Sequence, residues 1–193
     1  MVRGRQNVRH RVLRTVRRTS INVGANNADS SLLSCYVINA RSLKKNNCVQ
    51  LLSTELSGAD VDVAAITETW LNKSIVAAYT AIPGYNFFRQ DRTRRKGGGV
   101  CIYSRSALIT EVVETPYHAV SVQSGHETLC VKITLMFTVV LIMVVFHPPK
   151  PIYNSHDFLV RLTNDVDYLI STYPHAVLIL TGDFNRLDMS EFF

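Results

Sequence analysis

The four cysteines, Cys35, Cys48, Cys101 and Cys130, form no CxxC pair, and three of them sit inside apolar runs. Reduced, core-packed thiols are therefore expected rather than the disulfide framework of a small secreted protein. No apolar signal-peptide core precedes residue 30. The one membrane suspect, Ile133 to Phe146, is uncharged but only 14 residues long, whereas a spanning helix needs about 20. It is rich in Val, Ile and Thr and reads as buried strand. No membrane segment is expected, and the chain is placed inside the cell, nuclear or cytoplasmic. Glycine and proline are scarce, 9 and 6 of 193 residues, which excludes a collagen-like or low-complexity chain.

The composition present is globular: 47% of residues are hydrophobic and 19% charged. A domain of this length buries roughly 70% of the surface its unfolded chain exposes, enough for one core without staples. The net charge of +6 is unevenly placed. Seven arginines fall in the first 18 residues and the first acid is Asp29, which leaves 14 basic against 15 acidic residues elsewhere. Residues 1–30 therefore read as a basic flexible arm, and 31–193 as the folded domain. The arm has three open readings: phosphate attraction or nuclear import, an organelle transit peptide, or an unselected leader.

From Leu32 short apolar runs alternate with helical stretches. Leu32–Asn39 and Val61–Thr67 read as strands around a helix over Ser42–Leu56, whose apolar residues are Leu43, Val49, Leu52 and Leu56, a β-α-β unit. Strands follow at Tyr85–Arg89, Val100–Ser104, Leu108–Val113, Thr128–Leu135 and Phe137–Phe146. A helix is expected over Asn154–Thr172. Ala176–Thr181 is almost purely apolar, as in the middle of a sheet. Helices at both ends of a strand-rich centre predict an α/β fold, a layered sandwich.

Three polar clusters lie just beyond strand ends, where an open α/β sheet keeps its ligand site: Asn39, Glu68, and Asp183 with Asn185. Each alone has an ordinary reading as a turn former or the acidic start of a helix. Together, a carboxylate and two amides suit a hard, oxygen-liking cation, with a second carboxylate free to act on water. The arginines flanking the three glycines (Arg89, Arg92, Arg94, Arg95, with Lys96) either line the path of a DNA backbone or belong to a solvated hairpin loop.

Five motifs in order, NARSL at Asn39, ITETWL at Ile66, the arginine-flanked GGGV at Gly97, HPP at His147 and LTGDFNRLD at Leu180, resemble the endonuclease/exonuclease/phosphatase superfamily. More specifically, they resemble the apurinic-type endonuclease domain carried by non-LTR retrotransposons alongside their reverse transcriptase. The resemblance implies two packed β-sheets flanked by helices, and Mg²⁺-dependent nicking of target DNA, with Mn²⁺ as an alternative cofactor. It implies that Glu68 is the principal metal ligand with Asn39 beside it, that Asp183 orients or deprotonates the attacking water, and that Asn185 supports the phosphate. Two departures stand out. Phe146 replaces a tyrosine whose hydroxyl helps hold phosphate, with His147 as a substitute candidate. No histidine follows Asp183, so the family's terminal Asp-His pair has no match and a C-terminally incomplete, weakly active or inactive fragment is expected. Two alternatives stay open: a non-catalytic nucleic-acid-binding remnant, and a phosphatase or lipid phosphodiesterase of the same superfamily.

Overall fold

Period-2 alternation builds the molecule. In β2 (Leu32–Asn39) and β3 (Val63–Thr67), Leu33, Cys35, Val63 and Ala65 point to one side, while Tyr36, Ile38, Ala64 and Ile66 point to the other. Such strands have two apolar faces and must be covered on both. One cover is helix α1 (Cys48–Gly58), whose Cys48, Val49, Leu52 and Leu56 are buried on the second face. The other is a second sheet.

The computed structural model describes residues 14–22, 32–92, 96–116 and 126–190. Its first sheet has the order β1-β2-β3-β5-β4, with β1 Arg14–Asn22, β4 Tyr85–Gln90 and β5 Val100–Arg105. The second has the order β6-β7-β8-β9, with β6 Ile109–Val113, β7 Glu127–Thr134, β8 Val139–Phe146 and β9 Val177–Asp183. Val100 and Ile102 of the first sheet meet Leu129, Val131, Val140, Ile142, Val144 and Phe146 of the second. Helix α3 (Ser155–Thr172) covers the outer face of the second sheet through Phe158, Leu162 and Leu169, packed on Leu141, Met143 and Val145. A single-turn helix, α2 (Ala77–Thr80), precedes β4. The expected α/β sandwich is thus present.

Three expectations are corrected. Residues 14–22, read as part of a flexible arm, form β1, antiparallel to β2. The β-branched residues Thr15, Val16, Thr19 and Ile21 favour extended chain, and the outer edge of β2 offers backbone partners that a charge count does not register. The sheet therefore starts at Arg14 rather than near residue 31; the rest of the arm, 1–13 and 23–31, lies outside the described residues. Strand β9, read as central, is an edge strand among the described residues. Its apolarity reflects its faces: Val177 and Ile179 pack into the sandwich, and Leu178 and Leu180 pack on the α3 side. The helix read from Ser42 begins at Cys48, because Ser42 and Leu43 use their N–H groups elsewhere, as described below.

The uncharged run Ile133 to Phe146 divides between β7, a hairpin and β8, and no helix of the described residues is long and apolar enough to cross a membrane. All four cysteines are unpaired and buried. Burial pushes the Cys35 and Cys130 thiols up to about 12, which keeps them protonated and unreactive.

Candidate active site

Each sheet contains one parallel pair joined through a helix: β2-α1-β3 in the first and β8-α3-β9 in the second. Parallel strands end on the same side, so the pairings Asn39 with Thr67 and Phe146 with Asp183 bring four strand ends to one rim of the sandwich. The chain leaves these ends in a tightly hydrogen-bonded set of loops. Ala40 N–H donates to Thr67 O at 2.9 Å, Ser42 N–H to Glu68 O at 2.8 Å and Leu43 N–H to Thr69 O at 2.8 Å. Thr69 and Trp70 N–H donate to Gly99 O and Gly98 O at 3.1 and 2.8 Å. The three motifs NARSL, TETWL and GGG are thereby one backbone network. Glu68, Trp70 and Asn185 hold left-handed φ angles of 53°, 56° and 47°, strain that non-glycine residues carry only where the surroundings impose it.

Inside this frame Asn39 joins the two carboxylates. Its Nδ2 donates to Glu68 Oε1 at 2.9 Å and to Asp183 Oδ2 at 2.7 Å, across 144 sequence positions. The two acceptor oxygens are no farther apart than two hydrogen-bond lengths. Asp183 Oδ1 accepts the Asn185 N–H at 3.2 Å, and Asn185 Nδ2 donates to the His147 carbonyl at 2.7 Å. The His147 N–H donates to Asp183 O at 2.9 Å, which locks the β8 and β9 ends together. Asn39, Glu68, Asp183 and Asn185 line a cleft of about 710 Å³. These four, selected from strand ends, converge there.

The remaining candidates divide differently. Asn39 Oδ1 accepts the Arg41 N–H at 3.2 Å, so in this arrangement Asn39 bridges the carboxylates as a donor rather than turning its oxygen beside Glu68 as a metal ligand. The His147 ring, expected to stand in for a phosphate-holding hydroxyl, instead packs on Phe158 and Tyr153, with Nδ1 at 3.2 Å from the Tyr153 hydroxyl; only its backbone serves the site. Arg92, expected to touch DNA, forms a largely buried ion pair with Glu127, and its guanidinium lies 5.6 Å above the Phe146 ring. Glu127 Oε2 also accepts the Gly99 N–H at 2.6 Å. Burial raises the Glu127 carboxyl, and Arg92 and the Gly99 N–H pull it back. Arg92 therefore clamps the glycine loop. Lys96 is exposed, and Arg94 and Arg95 lie outside the described residues.

Loss of one member of a buried ion pair leaves the other uncompensated, whereas loss of both does not. Arg92→Met is expected to cost about 3 to 5 kcal/mol in chemical denaturation, and Arg92→Met with Glu127→Met clearly less.

His126 and His147 are both buried, and the His126 ring meets Tyr153 and Phe158 edge-on at 4.3 and 5.1 Å. Burial, with Arg161 and His147 adding to it, pulls His126 from 6.5 down to about 4. Burial lowers His147 too, against the opposing charge of Asp183. A histidine depressed in the folded state contributes stability above its unfolded pKa and loses it as pH falls through the folded one. Unfolding free energy is expected to fall between pH 6.5 and about 4, and His126→Gln to flatten that slope in urea titrations at stepped pH.

Two residues at the site were not singled out from the sequence: Arg41, exposed on the cleft wall, and Trp70, which lies beside the cleft and donates its Nε1–H to Glu68 Oε2 at 3.3 Å. Their place directly beside NARSL and TETWL was the available signal. Among the described residues no group of three or more His, Cys, Asp or Glu forms a metal cluster. The cleft offers the two carboxylates of Glu68 and Asp183, without thiolate or imidazole, donors that fit a hard cation completing its shell with water.

Comparison with known proteins agrees with this geometry. Among curated proteins no sequence matches. In solved structures the chain is similar to humanized D. rerio TDP2 (20% identity, 81% of this chain and 64% of that one, TM-score 0.57). It is also similar to the endonuclease domain of TRAS1, a telomere-specific non-LTR retrotransposon (16% identity, 77% and 58%, TM-score 0.52). A third is an AP endonuclease from Archaeoglobus fulgidus (15% identity, 77% and 56%, TM-score 0.53). The chain spans less than two thirds of the length of each. The Endonuclease/Exonuclease/phosphatase family model matches residues 19–190, and with the two sheets, the convergent strand ends and the carboxylate pair already in place, the chain belongs to that family.

Proposed function

We propose that the cleft serves divalent-cation-dependent hydrolysis of DNA phosphodiesters, as the endonuclease part of a non-LTR retrotransposon whose nick primes an associated reverse transcriptase. The observation that carries this reading is the Asn39 bridge between Glu68 and Asp183, with Asn185 anchored alongside. The retrotransposon-like setting of NARSL and TETWL and the similarity to TRAS1 support the finer identity.

Asp183 is suited to orient water: its two oxygens are fixed by Asn39 and by the Asn185 N–H, and each keeps a lone pair for a water proton. Asn185 Nδ2 carries two hydrogens and spends one on His147 O, which leaves one for a phosphate oxygen. Glu68 would hold Mg²⁺ or Mn²⁺, which supplies neutralisation of the phosphate charge when bound. Arg41, exposed on the same wall, adds attraction for the backbone.

The test has two parts. Direct Mn²⁺ binding to the 193-residue chain, read by electron paramagnetic resonance, is expected and is lost in Glu68→Gln. Supercoiled plasmid, a phosphomonoester and phospholipid vesicles are then compared as substrates for the chain joined to the downstream segment of a related domain. DNA nicking supports the reading, and turnover of the other two without nicking replaces it with the phosphatase or lipid phosphodiesterase alternative. Salt-sensitive DNA binding with no Mn²⁺ binding points to the non-catalytic remnant.

A further inference from the structure

Trp70 is the only tryptophan of the chain, and its side chain is left open, 42% exposed. It is nevertheless held firmly. Its N–H donates to Gly98 O at 2.8 Å, its φ of 56° is left-handed, and its indole Nε1–H reaches Glu68 Oε2 at 3.3 Å. One part of the ring lies against the glycine loop, where a Cβ on Gly97 would come within 3.4 Å of Nε1. Among the described residues no other aromatic ring stacks on it. A side chain placed only to fill space would be buried, and one placed only to steady Glu68 would not need an indole. A fixed aromatic face beside carboxylates that handle a phosphodiester, with Arg41 on the cleft wall and exposed Lys96 next to Gly97, has the makings of a single-strand subsite: a π-face for the base and cations for the backbone.

We propose that Trp70 is a nucleobase-stacking platform that receives an unpaired base of single-stranded DNA next to the phosphate bound in the cleft. The inference rests on the reading of the cleft as a DNA phosphodiester site. A base inside a duplex has both faces covered by its neighbours, so the occupant is an unstacked base, at a single strand or a frayed end. Stacking is indifferent to base identity, because every base has a π-face. The platform therefore selects for strand state rather than sequence.

The single tryptophan makes the test direct. Without divalent cation, the 193-residue chain is titrated with a labelled single-stranded oligothymidylate, with a duplex, and with an oligomer of the same length and charge built from abasic residues. Label anisotropy reports binding and Trp70 emission reports stacking. Quenching of Trp70 in step with single-strand binding is expected, together with about 5- to 100-fold weaker binding of the abasic oligomer without quenching. Trp70→Ala is expected to lose the same factor. Trp70→Phe, which keeps a ring and gives up the Glu68 hydrogen bond, should retain most of the affinity; a loss equal to that of Trp70→Ala would overturn the platform in favour of a Glu68-positioning role. Equal binding of normal and abasic oligomers, or quenching by duplex alone, overturns it as well. Absence of any anisotropy change with every DNA overturns the DNA reading of the cleft itself, and the platform with it.

Discussion

Replacing Gly182 by alanine is expected to cost more than about 4 kcal/mol of stability, the largest effect of an added methyl at any glycine among the described residues. Gly182 pairs with Val145 in the β8-β9 ladder and holds a φ of 133°, a conformation that side-chain-bearing residues rarely adopt. A Cβ there would lie 1.9 Å from Val145 O and 2.8 Å from Val145 N. Those are backbone atoms, so no rotamer change relieves the clash, and the strands must part. The damage is aimed at the site. Asp183 is the next residue, its register with Phe146 is the last rung of the ladder, and its carbonyl accepts the His147 N–H. Gly58→Ala is the internal control: nothing lies within 4 Å of its Cβ, and it sits in α1, where alanine gains about 0.4 to 1 kcal/mol. Urea unfolding of the two variants checks both signs at once. Near-native stability for Gly182→Ala would show that β9 is not held against β8 as described.

Gly182 also marks how much of the site was legible. Residues whose role follows from strand order were readable: Asn39, Glu68 and Asp183 each close an apolar run, and strands of parallel pairs end together, so the four candidates at strand ends met in one cleft. Side chains whose partner lies on a different strand pair were not. Arg92 reads as a free loop cation until β7 supplies Glu127, and His147 reads as a site histidine until α3 supplies Phe158 beside Tyr153. A charge count sees neither partner, because both pairings are made in the third dimension only. The same limit hid β1, whose arginines masked an extended chain that β2 recruits through backbone groups alone. It also misplaced β9, since apolar alternation reports covered faces and says nothing of an edge. Trp70 and Arg41 were passed over because their motif neighbours carried the recognisable chemistry.

The other large effect concerns turnover. The polypeptide of 193 residues holds Glu68, Asp183 and Asn185 in the hydrogen-bonded arrangement proposed to bind a cation and aim water. Phe146 has no hydroxyl, and the His147 ring is engaged with Tyr153 and Phe158. Each preorganised donor missing from the developing charge on a phosphate costs about 100- to 1,000-fold in rate, and groups that act together do not lose activity additively. The chain alone is therefore expected to nick supercoiled plasmid at or near background with Mg²⁺ in excess, while still binding Mn²⁺. Phe146→Tyr, which places a hydroxyl at that strand end, should raise the rate. In that background Asp183→Asn is expected to cost about 100- to 10,000-fold, the range for a lost general base. The change keeps the shape of the side chain and one acceptor oxygen, enough for Asn39 but not also for the Asn185 N–H, so substrate affinity should change little and the loss should fall chiefly on kcat. A loss confined to KM would mean that Asp183 holds substrate rather than water. Nicking by the 193-residue chain itself, dependent on Glu68, would mean that Arg41 or another cleft group supplies the missing donor.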